Sequence, residues 1–342
     1  MYKFDVSSSL SRSISICVLL ILLSITTQLP SLGSDFLKPA TASGSINGSA
    51  YGEFAVSTDG KRLIAENIIK KQIEVIDTQT RSVRSTVSLA HGLNQLTLSR
   101  DGGYCAVWDG YNVIVWNTQD WSVASKWPCA VTSKANYDVY IEFLPDDSLL
   151  ETGDTWGEIY RLESSKYVKY SNCVADFGDT VRKLSPDGRY LACGGYSFLK
   201  IWSTRTWRPI ICFEGIWRSE LGPQDVGFVM FSPKGDLLFA GADNCMHIFN
   251  TSGWQKVDNS RTEFFRHGIE FEDGAFSQDG KIFATIGKHL MFWDTRTGRL
   301  IANEPGTDCS GVGVEFLPVQ HEVVVLTGHL NLIRQPVPSL HS

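Results

Sequence analysis

Along most of the chain, apolar residues come in short runs cut by turn residues, at a spacing too tight for helices. The stretch from Gly274 to Leu300 shows the unit. Ala275-Phe276-Ser277 ends at Gln278-Asp279-Gly280, and Lys281 to Ile286 follows. Gly287-Lys288-His289 turns the chain again. Leu290 to Trp293 is a third run, closed by Asp294-Thr295-Arg296-Thr297-Gly298. Asp-Gly and Thr-Gly suit tight turns because glycine enters positive φ without a Cβ clash. The pattern predicts a meander of short antiparallel strands.

The unit recurs. Its first turn appears as Ser57-Thr58-Asp59-Gly60, Ser99-Arg100-Asp101-Gly102, Leu144-Pro145-Asp146-Asp147, Ser185-Pro186-Asp187-Gly188, Ser232-Pro233-Lys234-Gly235, Ser277-Gln278-Asp279-Gly280 and, degenerate, Leu317-Pro318-Val319. The aligned positions 59, 101, 146, 187, 234, 279 and 319 are separated by 42, 45, 41, 47, 45 and 40 residues. That is the period of a four-stranded propeller blade. About 15 residues after each turn comes an apolar pair: Val75-Ile76, Val115-Trp116, Ile159-Tyr160, Ile201-Trp202, Ile248-Phe249, Phe292-Trp293 and Leu332-Ile333.

These two phrases, F-S-P-D-G early and I-W-D late, resemble the WD-repeat (WD40) β-propeller family, and Trp293-Asp294 is the literal dipeptide. The resemblance implies an all-β fold: a seven-bladed propeller of four-stranded antiparallel sheets over 51–338. It also implies a protein-interaction role. The Gly-His dipeptide of the family is missing, and His91-Gly92 and His267-Gly268 stand in reversed order. Asp109, Asp154 and Asp243 fall between the second and third strands, where the family keeps a structural Asp. They are expected to brace those turns by bonding the downstream backbone. Val75 to Thr80 also resembles the V-I-D-T-x-T phrase of lactonase-like propellers.

Ahead of the repeats, Ile14 to Ile25 is a 12-residue apolar core behind Lys3 and Arg12. It is short for a membrane span and reads as a signal helix: 1–33 a signal peptide or signal anchor, and 34–50 a Ser/Gly/Ala/Thr-rich linker. Repeat seven ends without room for a fourth strand, and closed rings remove exposed sheet edges. About Thr41 to Gly48 is therefore expected to supply the closing outer strand. Export to periplasm, cell surface or medium follows from the signal, and membrane contact only through an uncleaved anchor.

Composition narrows the function. The formal charge is −6 and no Lys/Arg run stands out, which disfavours nucleic acid. Of eight cysteines, Cys17 lies in the apolar core; Cys105 and Cys193 fall in second strands, as buried small hydrophobes. No C-x-x-C, H-E-x-x-H, P-loop, G-x-S-x-G or G-x-G-x-x-G occurs, so no cofactor, metal or catalytic residue is expected. Glu66, Asn67, Asp109, Asp154 and Asp243 are the carboxylate and amide groups that an axial enzyme site, lactonase-like or quinoprotein-like, would draw on. The leading reading is a monomeric, non-catalytic scaffold for protein partners. Its candidate anchors are Trp156, Tyr196, Trp217 and Arg218, aromatic and arginine side chains at turns and joins, with packing between blades as the competing role.

Overall fold

The computed structural model describes residues 51–129, 139–153, 156–164, 166–174, 181–215, 218–219, 222–223, 225–242, 245–257, 273–287, 289–304, 311–317, 321–327 and 332–338. All belong to one compact unit. The expected signal helix, the linker and the closing strand at 41–48 lie outside these residues.

The described chain is all-β and forms seven antiparallel sheets in sequence order, each a meander with its first strand innermost. Blade one is Tyr51–Val56, Arg62–Asn67, Gln72–Asp77 and Val83–Ser88. Blade two is Gln95–Leu98, Tyr104–Trp108, Asn112–Asn117 and Val123–Pro128. Blade three is Tyr140–Phe143, Leu149–Thr152, Trp156–Glu163 and Lys166–Val174. Blade four is Val181–Leu184, Tyr190–Gly195, Phe198–Ser203 and Arg208–Glu214. Blade five shows Phe228–Phe231, Leu237–Ala242 and Cys245–Asn250, with a backbone bridge from Phe249 to Lys256 where a fourth strand would start. Blade six is Asp273–Phe276, Ile282–Ile286, Leu290–Asp294 and Leu300–Glu304, and blade seven shows Gly311–Leu317, Glu322–Thr327 and Leu332–Pro336. A short hairpin, Arg218–Ser219 with Gly222–Pro223, sits between blades four and five.

Burial explains the sequence pattern. Fourth strands such as Val83–Ser88 alternate exposed and half-buried, whereas second strands such as Ile282–Ile286 are buried throughout. A middle strand has a neighbouring blade on each face, so both of its side-chain sets must be apolar. The late apolar pair obeys this in every blade. Its first member packs toward the following blade and its second toward the preceding one: Val75 and Ile76, Val115 and Trp116, Ile201 and Trp202, Phe292 and Trp293. Among the described residues there are seven apolar clusters, one per junction. The cluster of Tyr51, Leu63, Ala65 and Ile76 with Leu317, Val324, Leu326 and Leu332 joins blade seven to blade one. The array is thus a closed ring. Trp293 is fully buried, and its indole N–H donates to Thr285 Oγ1 at 2.9 Å.

The first turn is built the same way in blade after blade. Ser57, Ser99, Ser185 and Ser277 donate to Asp59, Asp101, Asp187 and Asp279 at 2.6–2.8 Å, and accept from the N–H five residues on at 2.8–3.0 Å. Gly60, Gly102, Gly188, Gly235 and Gly280 hold φ of 67° to 71°, and Asp147 takes the same place at 59°. Threonines after the third strand clamp these turns: Thr78 donates to the Gly60 carbonyl at 2.6 Å, Thr204 to Gly188 at 2.5 Å and Thr251 to Gly235 at 2.6 Å. A threonine just after the third strand is therefore a clamp between the first and third turns of these blades. Neighbouring first turns also touch around the ring, because a Cβ on Gly188 would lie 2.3 Å from Pro145 Cδ.

Candidate functional site

A four-stranded meander puts its first and third turns at one end and its second turn and exit at the other, so the ring has two distinct faces. The second-turn face carries the largest exposed apolar side chains of the turns: Ile69 at 70 %, Tyr111 at 66 % and Tyr196 at 63 %. Tyr111 packs against His91 with ring centroids 4.8 Å apart and the planes tilted by 45°. Its turn is held by Asp109, whose Oδ1 accepts from the N–H groups of Tyr111 at 2.9 Å and Asn112 at 2.6 Å. Tyr196 bridges Asp225 through the backbone, beside the hairpin at 218–223. His289 is exposed in the same turn of blade six.

The other candidates fall differently. Trp156 is half-buried: its indole lies over Gly153 and packs on the cluster between blades two and three. Arg218 lies in the hairpin backbone; its side chain, like Trp217, Asp154 and Asp243, lies outside what is described. Asn67 is fully buried and donates to Glu74 at 3.0 Å, part of a network in which Tyr51, Lys70 and Gln72 also donate to that carboxylate. Those four donors hold the Glu74 carboxyl below the usual range despite burial. Glu66 lies over Gly52 and accepts from the Leu93 N–H at 2.8 Å, and burial raises its carboxyl. The enzyme-type candidates Asn67 and Asp109 thus serve local structure.

The axis is lined by other residues, which carry no motif. Thr97 donates to Glu142 at 2.9 Å, and Glu142 faces the Lys183 ammonium at 4.0 Å. Asp273 accepts from the Val314 N–H at 3.0 Å and ties blade six to blade seven, as the Gln95 side chain ties blade two to the Ile141 backbone. Burial in the narrow bore, then Glu66 and Asp273, pushes the Glu53 carboxyl up to about 7. Burial pushes Asp273 up to about 6, against its backbone bonds and Lys183. Glu315 is open to channel water, yet its confinement there, with Asp273 and Glu142 nearby, pushes it up to about 7 against the pull of Lys183. Burial alone would lower the Lys183 ammonium, but Glu142, Glu315 and Asp273 hold it above its ordinary value. Among the described residues no group of three His, Cys, Asp or Glu is arranged to hold a metal ion. The signal that could have revealed the axial set is a charged residue two or four places before the first turn, on the innermost strand, present in five of the seven blades.

Comparison with known proteins agrees with this architecture. Residues 171–203 match the family model described as WD domain, G-beta repeat. The match starts in the outer strand of blade three and ends with the third strand of blade four, so the sequence repeat is out of phase with the blade and overlaps a junction. The fold is similar to the crystal structure of the Cps50 (Swd1) β-propeller domain of Myceliophteria thermophila. The TM-score is 0.70 at 17 % identity, over 86 % of this chain and 100 % of that one. No curated protein matches the sequence. In all, 1649 solved chains match, and so widely shared a fold does not by itself name a function. The chain is a seven-bladed β-propeller with the WD40 fold and a recognisable WD repeat across its third and fourth blades.

Proposed function

We propose that this protein is an exported, non-catalytic scaffold that docks protein partners on its second-turn face. WD40 propellers commonly serve as protein-interaction scaffolds. The observation that carries the reading is the placement of Ile69, Tyr111 and Tyr196, each nearly two-thirds exposed or more, at one end of the ring. A solvent-exposed tyrosine on a braced turn is a good anchor, because it offers large contact area at low ordering cost. Export is supported by the short apolar core at 14–25 behind a basic start.

The test compares affinity capture by the mature wild-type protein and by a Tyr111→Ser/Tyr196→Ser double variant. Partners retained by the wild type are expected to be lost from the variant at unchanged melting temperature. Identical captured sets would refute docking on this face. The N-terminal mass of the same preparation should lack the apolar core, and an intact Met1 on soluble protein would refute cleavage and export.

A further inference from the structure

A cavity of about 210 Å³ opens on the axis, lined by Lys183, Leu184, Pro186, Met230, Phe231, Ala275, Phe276 and Glu315. Leu184, Phe231 and Phe276 are the last residues of their inner strands, and Pro186 lies in a first turn. The cavity therefore belongs to the first-turn face, opposite Tyr111 and Tyr196. Its walls are aliphatic and aromatic, and its two polar groups, Lys183 and Glu315, come from blades four and seven.

The charge around it is unequal. Blades one, three, six and seven contribute Glu53, Glu142, Asp273 and Glu315, with Glu66 behind Glu53. Among the described residues blade two adds Gln95 and Thr97 and blade five Met230, none of them charged. Lys183, the one ammonium among the described lining residues, already faces Glu142 at 4.0 Å. An anion entering beside Lys183 would meet this carboxylate excess. A cation would be attracted by it, more strongly in a confined bore than in bulk water. Size limits the guest as well. With roughly 30 Å³ per water, the cavity holds about seven waters, which suits a molecule or side chain of a similar number of heavy atoms.

We infer that the axial cavity is a binding site for an aliphatic ammonium, its alkyl stem against Met230, Phe231 and Phe276 and its charge at Glu315. The empty site keeps part of its charge excess masked by protons on Glu53, Asp273 and Glu315. A cation at Glu315 displaces its proton, so binding releases protons and tightens as pH rises from about 6 to 8.

The test is titration calorimetry of the full-length protein with 1,4-diaminobutane, in buffers of different ionisation enthalpy at pH 6 and pH 8. Butyrate is the anionic control. Saturable binding of the diamine with proton release, at least tenfold weaker in Glu315→Gln, is expected. Met230→Trp, which fills the cavity without changing charge, should abolish it. A capped lysine peptide as a further arm separates sources: equal binding assigns the guest to a protein side chain, and binding of the diamine alone to a free amine. Absence of saturable diamine binding, preference for butyrate, or binding unchanged in both variants would overturn the inference.

Discussion

Adjacent positions on the same seven inner strands behave in opposite ways. The residue just before each first turn is Val56, Leu98, Phe143, Leu184, Phe231, Phe276 and Phe316, and in every blade it packs toward the preceding blade. The residue one place earlier is Ala55, Thr97, Glu142, Lys183, Met230, Ala275 and Glu315. In the first set every member is apolar, and the second mixes Ala, Thr, Glu, Lys and Met. A wedge between sheets is closed to water, so each copy faces the same demand for apolar volume. The second set faces the axis, where Glu315 is exposed and Lys183 half-exposed, so the demand for apolar volume is weaker and the residue types differ.

The sharpest way to break this contrast is to attack a wedge. Trp293→Ala removes a fully buried indole and its bond to Thr285, and should cost about 3–5 kcal/mol in denaturant unfolding. A loss under 1 kcal/mol would mean that the wedges do not dominate stability. The turn contacts around the first-turn face come next. Gly188→Ala puts a Cβ 2.3 Å from Pro145 at a φ of 70° and should cost about 1–3 kcal/mol. Gly227→Ala, where a Cβ meets nothing within 4 Å, should change stability by less than about 0.5 kcal/mol. Equal effects would remove the first-turn contacts from the account.

The axis should give the smallest effect and the only one dependent on pH in this range. Glu53 and Glu315 sit near 7 in the folded ring, above their ordinary value. The folded state therefore holds their protons more tightly than the unfolded chain. The stability they confer is complete below the unfolded value, near 4.5, and is lost as pH rises through about 7. The melting temperature should fall modestly from pH 5 to pH 8. Glu53→Gln/Glu315→Gln should flatten that slope, and an unchanged slope would place these carboxyls outside the linkage.

Much of this was legible in the residues because burial on both faces forces repetition. The first-turn glycines, the Ser–Asp pair and the late apolar pair mark seven blades without any coordinates. One repeated feature has no local signature: Trp121, Trp207 and Trp254 recur as Thr-x-x-Trp and adopt positive φ of 58°, 51° and 54°. Tryptophan is not a residue that local propensity sends there. Tertiary packing holds it, as with Trp254, buried edge-on to Tyr190 at 5.0 Å between ring centroids. Trp156, an exposed anchor on sequence grounds, is half-buried over Gly153 for a similar reason, since a small residue beside an aromatic invites the ring to fold down.

The sequence by itself determined the strands, the turns and the number of blades, because each follows from local patterning repeated at one period. Only the tertiary structure decided what meets at the axis. Glu53, Glu142, Lys183, Asp273 and Glu315 are spread over more than 250 residues of chain and form no motif. Closure of the ring brings them to one bore, where burial first and neighbouring carboxylates second raise Glu53 and Glu315, and no local pattern records that closure.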